Sequence, residues 1–374
     1  MEWKRVDITE INESLLRTPL YSAHNDLNAK ITPFAGWEMP LVYSGILNEV
    51  EAVRKRSGIF DVSHMCRVRI LGSDAGDFIQ YLTSNDSHRL SNGTGQYSLL
   101  LNDQGGIKDD ILQFRLSEEE YFLILNAGNA KKDLDWILSH KPPSVTLEDI
   151  TRETAMIAWQ GPEALKQCAS LLKIDYPPME RYQIRKLSYK NQILIVSRTG
   201  YTGEDGCEIT VHADFALLLW REIMELGVTP CGLGARDTLR IEAGFPLYGH
   251  EIDEDVFPRE AGLSWAVIPD KGKFIGSDAI IENNRAKAEK RSIGILAMDK
   301  TIPRQGYPII ADERNIGFVT SGTYSPTLKC GIGIVRVNAP YAKAGKTLHV
   351  EIRGKSYPVT TIEKHKMLSL SKGD

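Results

Sequence analysis

Residues 197–209 read Ser-Arg-Thr-Gly-Tyr-Thr-Gly-Glu-Asp-Gly-Cys-Glu-Ile, with glycines at 200, 203 and 206 among Arg198, Tyr201, Glu204, Asp205 and Glu208. A turn that only joins two strands needs one or two glycines and tolerates most polar residues. This run holds its backbone in an unusual shape while presenting an aromatic ring and several carboxylates. Glycine clusters also serve backbone geometry alone, so a purely structural turn stays open on this run by itself.

A second polar glycine cluster, Asn102-Asp103-Gln104-Gly105-Gly106-Ile107-Lys108-Asp109-Asp110, sits between the apolar segments 97–101 and 111–114. The pattern predicts a hairpin with a Gly-Gly turn. Successive side chains on the returning strand face opposite ways, so Asp109 and Asp110 cannot share a face. One is expected at the solvated turn and the other inward, among apolar neighbours that raise its pKa and fit it for general-base work. The plainer alternative is that both are turn residues.

In the third cluster, residues 231–244, Leu239 and Ala243 fall on one face of a helix starting near Ala235 and ending at Gly244. Arg236 lies in its first turn, the unfavourable end of the helix dipole, and is either solvated or held by an anionic partner. Gly232 and Gly234 do not extend to GxGxxG, which disfavours a dinucleotide site, and no GxxxxGK[ST] run offers a P-loop. His64, after Asp61 and Ser63, is read as a hydrogen-bonded structural residue, because a catalytic triad is assembled in space and not in a tripeptide. His250 either lines the site or caps a loop, and Trp37 either lines a channel or packs under its loop.

The elements that must position these groups alternate without a clean βαβ rhythm. Helical patterns cover 46–56, 75–82 (with Ser73 as N-cap), 130–138, 162–172 and 215–226, the last stopped by Gly227. Strand patterns cover 68–71, 121–125, 155–159 and 208–211, which predicts an α+β fold with antiparallel sheets. After a charged linker at 283–291 only short strands follow, at 292–297, 316–321, 331–337, 347–352 and 357–362: a small β-barrel or sandwich. The expected division is residues 1–285 and 286–374.

With 374 residues the chain can bury a sizeable core, and its net charge of −4 gives no bulk attraction to nucleic acid or anionic membrane. No stretch reaches the ~18 apolar residues of a membrane helix. The start is mixed and acidic (Glu2, Asp7, Glu10, Glu13), unlike a transit peptide, so a cytoplasmic location is expected. The five cysteines (66, 168, 207, 231, 330) are widely spaced with no CxxC, pointing to free thiols, with no zinc site.

Together with Phe34-Ala35-Gly36-Trp37-Glu38-Met39-Pro40 and Phe60-Asp61-Val62-Ser63-His64-Met65, the three clusters resemble the glycine cleavage system T-protein family, the aminomethyltransferases. The resemblance runs from Arg17 to Leu328 and extends to the tetrahydrofolate-dependent demethylases of the same superfamily. It implies a three-domain cloverleaf around a central folate channel: two intertwined folate-binding subdomains, then a C-terminal β-barrel. It implies transfer of an aminomethyl carbon from the dihydrolipoyl arm of a lipoylated H-protein to tetrahydrofolate, with release of ammonia and no metal. By position the family's catalytic aspartate falls on Asp110, its pterin-binding glutamate on Glu208, and its folate-lining residues on Tyr97, Tyr201, Arg236 and Trp265.

The residue chemistry agrees with those roles. One carboxylate can accept an amino group and a ring N–H side by side, aromatic rings stack on a flat pterin, and a fixed carboxylate in a dry site stabilises a cationic carbon. The chain departs from the family at Phe114, where some members have tyrosine and so a hydroxyl near the folate, and at Cys66 and Cys207. Its ending, residues 363–369, lacks the aromatic-arginine pair that helps hold folate in many relatives. Rival readings are a folate-dependent demethylase of a sulfonium, amine or aryl ether, and a non-enzymatic folate-binding paralogue, which would not need Asp110.

Overall fold

The computed structural model describes residues 15–173, 179–285 and 287–371; the acidic start of the chain lies outside them. Two sheets and a barrel dominate. The first sheet has six strands in the order Ile184–Tyr189, Gln192–Ser197, Gly206–His212, Thr154–Gln160, Gly58–Asp61, Thr229–Pro230. The second has five, in the order Thr94–Leu101, Ile107–Ser117, Glu120–Leu125, Cys66–Leu71, Thr146–Asp149. The chain enters the first sheet at Gly58–Asp61, crosses to the second for residues 66–149, and returns at Thr154. This interleaving makes one body of the two sheets.

Pairing is antiparallel as expected, except where the two-residue strands Thr229–Pro230 and Leu16–Arg17 lie parallel to their neighbours. Each sheet covers one face with helices. Ala164–Leu172 and Ala213–Glu225 pack Ala164, Cys168, Leu219 and Trp220 against Ile157, Ile209 and Val211 of the first sheet. Ala75–Leu82 and Ala130–His140 pack Phe78, Ile79 and Ile137 against Val68, Ile111 and Leu123 of the second. The opposite faces share one apolar cluster: Phe60, Met156 and Ala158 from the first, Phe114, Phe122 and Ile124 from the second, joined by Val53, Ala235 and Leu239 from two helices.

The predicted helices form, with small shifts at their ends. Asp74, not Ser73, is the N-cap of Ala75–Leu82, and neither Asp74 nor a neighbour caps it through a side chain. Gly227, at φ +77°, ends the Ala213 helix as expected. The charged stretch read as a linker carries regular structure at both ends: the helix Ser277–Arg285 occupies its beginning, and the first barrel strand, Lys290–Ala297, its end. The C-terminal strands close into a six-stranded barrel, completed by Pro308–Ala311, a short bulged strand that the sequence pattern passes over. Among the described residues no helix is long and apolar enough to cross a membrane, and all five cysteines are free.

The barrel is fastened to the rest by the helix Leu233–Glu242. Arg240, fully buried, donates to Glu251 at 2.9 Å and to the barrel's Ser321 Oγ at 2.6 Å. Glu251 also accepts from Thr320 Oγ1, and His250 Nδ1 lies 3.1 Å from the Thr320 carbonyl. Glu242 accepts both Arg54 Nε (2.9 Å) and Nη2 (2.7 Å) and takes Ser325 Oγ from the barrel. His250 thus anchors the barrel. Removing one partner of a buried ion pair leaves the other charge dry and uncompensated. Arg240→Met is therefore expected to lower unfolding free energy by about 3–5 kcal/mol in urea titration; a loss below about 1 kcal/mol would show that this tether does not hold the barrel.

Candidate active site

Side-chain alternation along Ile107–Ser117 decides where its two aspartates go. Ile111 points into the core beneath the helices, while Leu112 and Phe114 join the cluster between the sheets, at Phe114 with no exposure at all. Asp109 shares the face of Ile111, and Asp110 that of Leu112. Neither occupies the turn, which is made by residues 102–106. The expected split between solvent and interior is thus corrected: Asp109 is fully buried and Asp110 is partly buried on the inner face.

Asp110 accepts Tyr97 Oη at 3.0 Å on Oδ2 and Asn126 Nδ2 at 2.8 Å on Oδ1. Burial, and then the charge of Asp109, push its pKa up to about 7; the Tyr97 and Asn126 hydrogen bonds pull the other way. A carboxyl poised there exchanges protons near neutral pH, the condition for general acid–base work. Tyr97 stacks on Trp265 with ring centroids 5.1 Å apart, and Trp265 remains 58% exposed at the rim.

The first sheet supplies the opposing half. On Gly206–His212, Cys207 and Ile209 face the helices, so Glu208 takes the inner face, opposite Ala158 in register. Burial raises the pKa of Glu208, countered by Arg236 and by Thr199 Oγ1, which donates at 2.6 Å. Arg236 leaves the same helix as Ala235 and Leu239 of the shared cluster, and its guanidinium lies 4.8 Å from the Tyr201 ring centroid. Tyr201 also stacks on Phe245 (5.8 Å) and gives its hydroxyl to the Pro246 carbonyl. The field of Asp110 reaches both Tyr97 and Tyr201. The two halves therefore meet around the tyrosines.

The glycines of the 197–209 loop are closely approached by their neighbours. A Cβ on Gly200 would stand 1.8 Å from Gln160 Oε1, and one on Gly206 2.3 Å from the Trp159 carbonyl. Gly203, at φ +79°, abuts Ala243 and Leu368 of the C-terminal tail. That tail is fastened through buried Met367 and through Lys364 Nζ, which donates to the Ala261 carbonyl at 2.6 Å.

Other expected roles change. His64 is buried, its Nδ1 meets no partner among the described residues, and burial pushes its pKa down to about 3; it is not the hydrogen-bonded residue expected. Asp61 instead accepts His24 Nε2 (2.8 Å) and Thr18 Oγ1 (2.6 Å), a buried structural cluster. Trp37 is 7% exposed and packs inside. Phe114 sits in the core against Phe122, so a hydroxyl there would enter apolar surroundings. The sequence reading missed Asn126, Asn129 and Thr199. Asn126 follows directly on the strand Glu120–Leu125, and a polar residue where a strand paired to the Asp-Asp strand ends was the available signal.

A family model described as the GCVT N-terminal domain matches residues 20–271, and one described as the glycine cleavage T-protein C-terminal barrel domain matches residues 290–365. The chain belongs to the glycine cleavage T-protein family. An aminomethyltransferase of Nostoc sp. is 42% identical over 368 residues, covering 96% of this chain and 98% of the relative. One of Shouchella clausii is 44% identical over 352 residues, with 91% and 95% covered. The crystal structure of the glycine cleavage system aminomethyltransferase T from Bartonella henselae superposes with a TM-score of 0.89 at 32% identity, covering 94% of this chain and 98% of that one. The activity is accordingly that of an aminomethyltransferase of the glycine cleavage system, and the demethylase alternative is not favoured.

Asp110 gives the chain a pH signature. Its folded-state pKa lies above the ordinary 3.8, so the folded chain holds a proton that the unfolded chain releases, and stability falls as pH rises from about 4 to about 7. Asp110→Asn, which keeps the neutral shape, is expected to raise Tm at about pH 8 and to leave it unchanged at about pH 4. An equal Tm at both pH values would contradict the raised pKa.

Proposed function

We propose that this chain takes the aminomethyl group from the dihydrolipoyl arm of a lipoylated H-protein, releases ammonia and passes the carbon to tetrahydrofolate. The observation that supports it is the placing of Asp110 and Glu208 on the inner faces of two different sheets, with Tyr97, Tyr201 and Arg236 between them. The residues present fit a folate. Arg236 Nη1 is buried and meets no acceptor among the described residues, the buried Glu208 offers a carboxylate to paired N–H donors, and Trp265, Tyr97 and Tyr201 offer aromatic faces.

In this reading tetrahydrofolate supplies the nitrogen nucleophiles that receive the carbon. Glu208 and Arg236 orient the ring system from the first sheet, and the aromatic rings exclude water from its faces. Asp110 holds or accepts a proton at Oδ1 or Oδ2 and stabilises positive charge developing on the transferred carbon. The H-protein docks transiently. Residues 1–285 form the folate-binding region and 286–374 the barrel domain that closes it. The reaction in this reading calls for no metal.

The test mixes the purified chain with tetrahydrofolate and aminomethyl-loaded H-protein and follows ammonia and methylenetetrahydrofolate. Wild type is expected to turn over, and Asp110→Ala to lose ~10²–10⁴-fold in kcat. Folate binding without turnover by the wild type would overturn the activity while leaving the site.

A further inference from the structure

Behind Asp110, on the face away from the proposed folate, lies a second carboxyl pair. Asp109 accepts the Asn126 backbone N–H at 3.0 Å, Asn126 Nδ2 at 2.9 Å and Asn129 Nδ2 at 2.6 Å. Asp133, in the first turn of the Ala130–His140 helix, is likewise fully buried, and burial and then the charge of the neighbouring Asp109 push its proton affinity up. No N–H or O–H of any other described residue reaches either oxygen of Asp133.

The remaining groups around the pair are engaged elsewhere. Lys132 Nζ donates to Tyr248 Oη (2.6 Å) and to the Lys108 carbonyl (2.7 Å); Lys108 Nζ lies over the Trp136 ring and 3.4 Å from Glu254. The charges of the pair also reach Tyr248, and that of Asp133 reaches Cys66, while Tyr97 donates to Asp110, whose charge reaches Tyr201.

A carboxylate with no donor in a dry site is strongly disfavoured, whereas one that receives three N–H groups is well solvated by the protein. The proton of the pair therefore belongs on Asp133. We propose that Asp133 is a neutral acid donating its O–H to the Asp109 carboxylate, so that the pair carries one negative charge, and that this charge, relayed through the shared Asn126 amide, governs when Asp110 gives up its proton. Asn126 Nδ2 touches Oδ1 of both Asp109 and Asp110, at 2.9 and 2.8 Å, which makes it the physical link. Burial raises the proton affinity of all three carboxyls, and the donors on Asp109 decide which of the pair ionises. Asp109 and Asp133 are positioning residues: they act on the substrate only through Asp110.

The inference rests on the reading of Asp110 as the catalytic carboxylate, but its test does not need turnover. The full chain, labelled with ¹³C at the aspartate carboxyl carbons, is titrated by NMR, with Asp110→Asn, Asp109→Asn and Asp133→Asn assigning the resonances. In the wild type Asp133 is expected to keep a protonated shift up to about pH 9, Asp109 an ionised one, and Asp110 to titrate near 7.

Asp133→Asn keeps a donor and the charge, so Asp110 is expected to hold its midpoint within about 0.3 units; Asp109→Asn removes the charge and is expected to lower it by about one unit or more. The acid limb of kcat should follow the same pattern. An Asp133 resonance that is ionised at neutral pH would overturn the proposal. So would an Asp133→Asn shift as large as that of Asp109→Asn. The wild-type spectrum decides even where a variant fails to fold, and absent turnover with these titrations intact would count against the activity alone.

Discussion

Two strands, Ile107–Ser117 and Gly206–His212, each turn one carboxylate toward the space between the sheets, and the cost of keeping those carboxylates dry organises what surrounds them. A carboxylate away from water must be given donors, paired, or left protonated. Glu208 receives the Thr199 hydroxyl and the nearby charge of Arg236. Asp110 receives a tyrosine and an asparagine, and burial and then the charge of Asp109 outweigh them and hold its pKa near neutrality. The same space thus holds one acid with a cation nearby and one without.

Rigidity around that space comes from buried polar ties more than from the sheets alone. The Leu233–Glu242 helix carries Arg236 toward the site and, one turn on, Arg240 and Glu242 toward the barrel and Arg54. A shift of the barrel would therefore move the helix that aims Arg236. On the other side Gly203 and Gly244 let the C-terminal tail lie close, with Leu368 against the glycine loop and the Lys364 backbone against Gly244. The tail thus closes over the loop that carries Tyr201 and leads to Glu208.

What the sequence made legible followed from periodicity and glycine. The Gly-Gly hairpin, the alternation of Asp109 and Asp110 and the helix bearing Arg236 could all be read, because each is set by residues within a few positions of one another. The destination of Asp109 could not be read. Its partners Asn126, Asn129 and Asp133 come from the end of a neighbouring strand and from a helix laid over it, and only the folded sheet brings them together. The hydrogen-bonded role expected of His64 failed for the same reason: its Nδ1 meets no partner among the described residues, and tertiary packing gives the nearby Asp61 the imidazole of His24 instead. The strand Pro308–Ala311 escaped because a bulge and a proline break its alternation, yet the barrel closes only through it.

The central claim is that one sheet binds the ring system and the other does the chemistry. Calorimetric titration of tetrahydrofolate into Glu208→Gln and Asp110→Asn, with turnover measured alongside, separates the two directly. The account predicts a Kd weakened by about tenfold or more in Glu208→Gln, and in Asp110→Asn a Kd near that of the wild type with kcat largely lost. Wild-type affinity in Glu208→Gln, or a loss of affinity in Asp110→Asn matching its loss of turnover, would contradict that division.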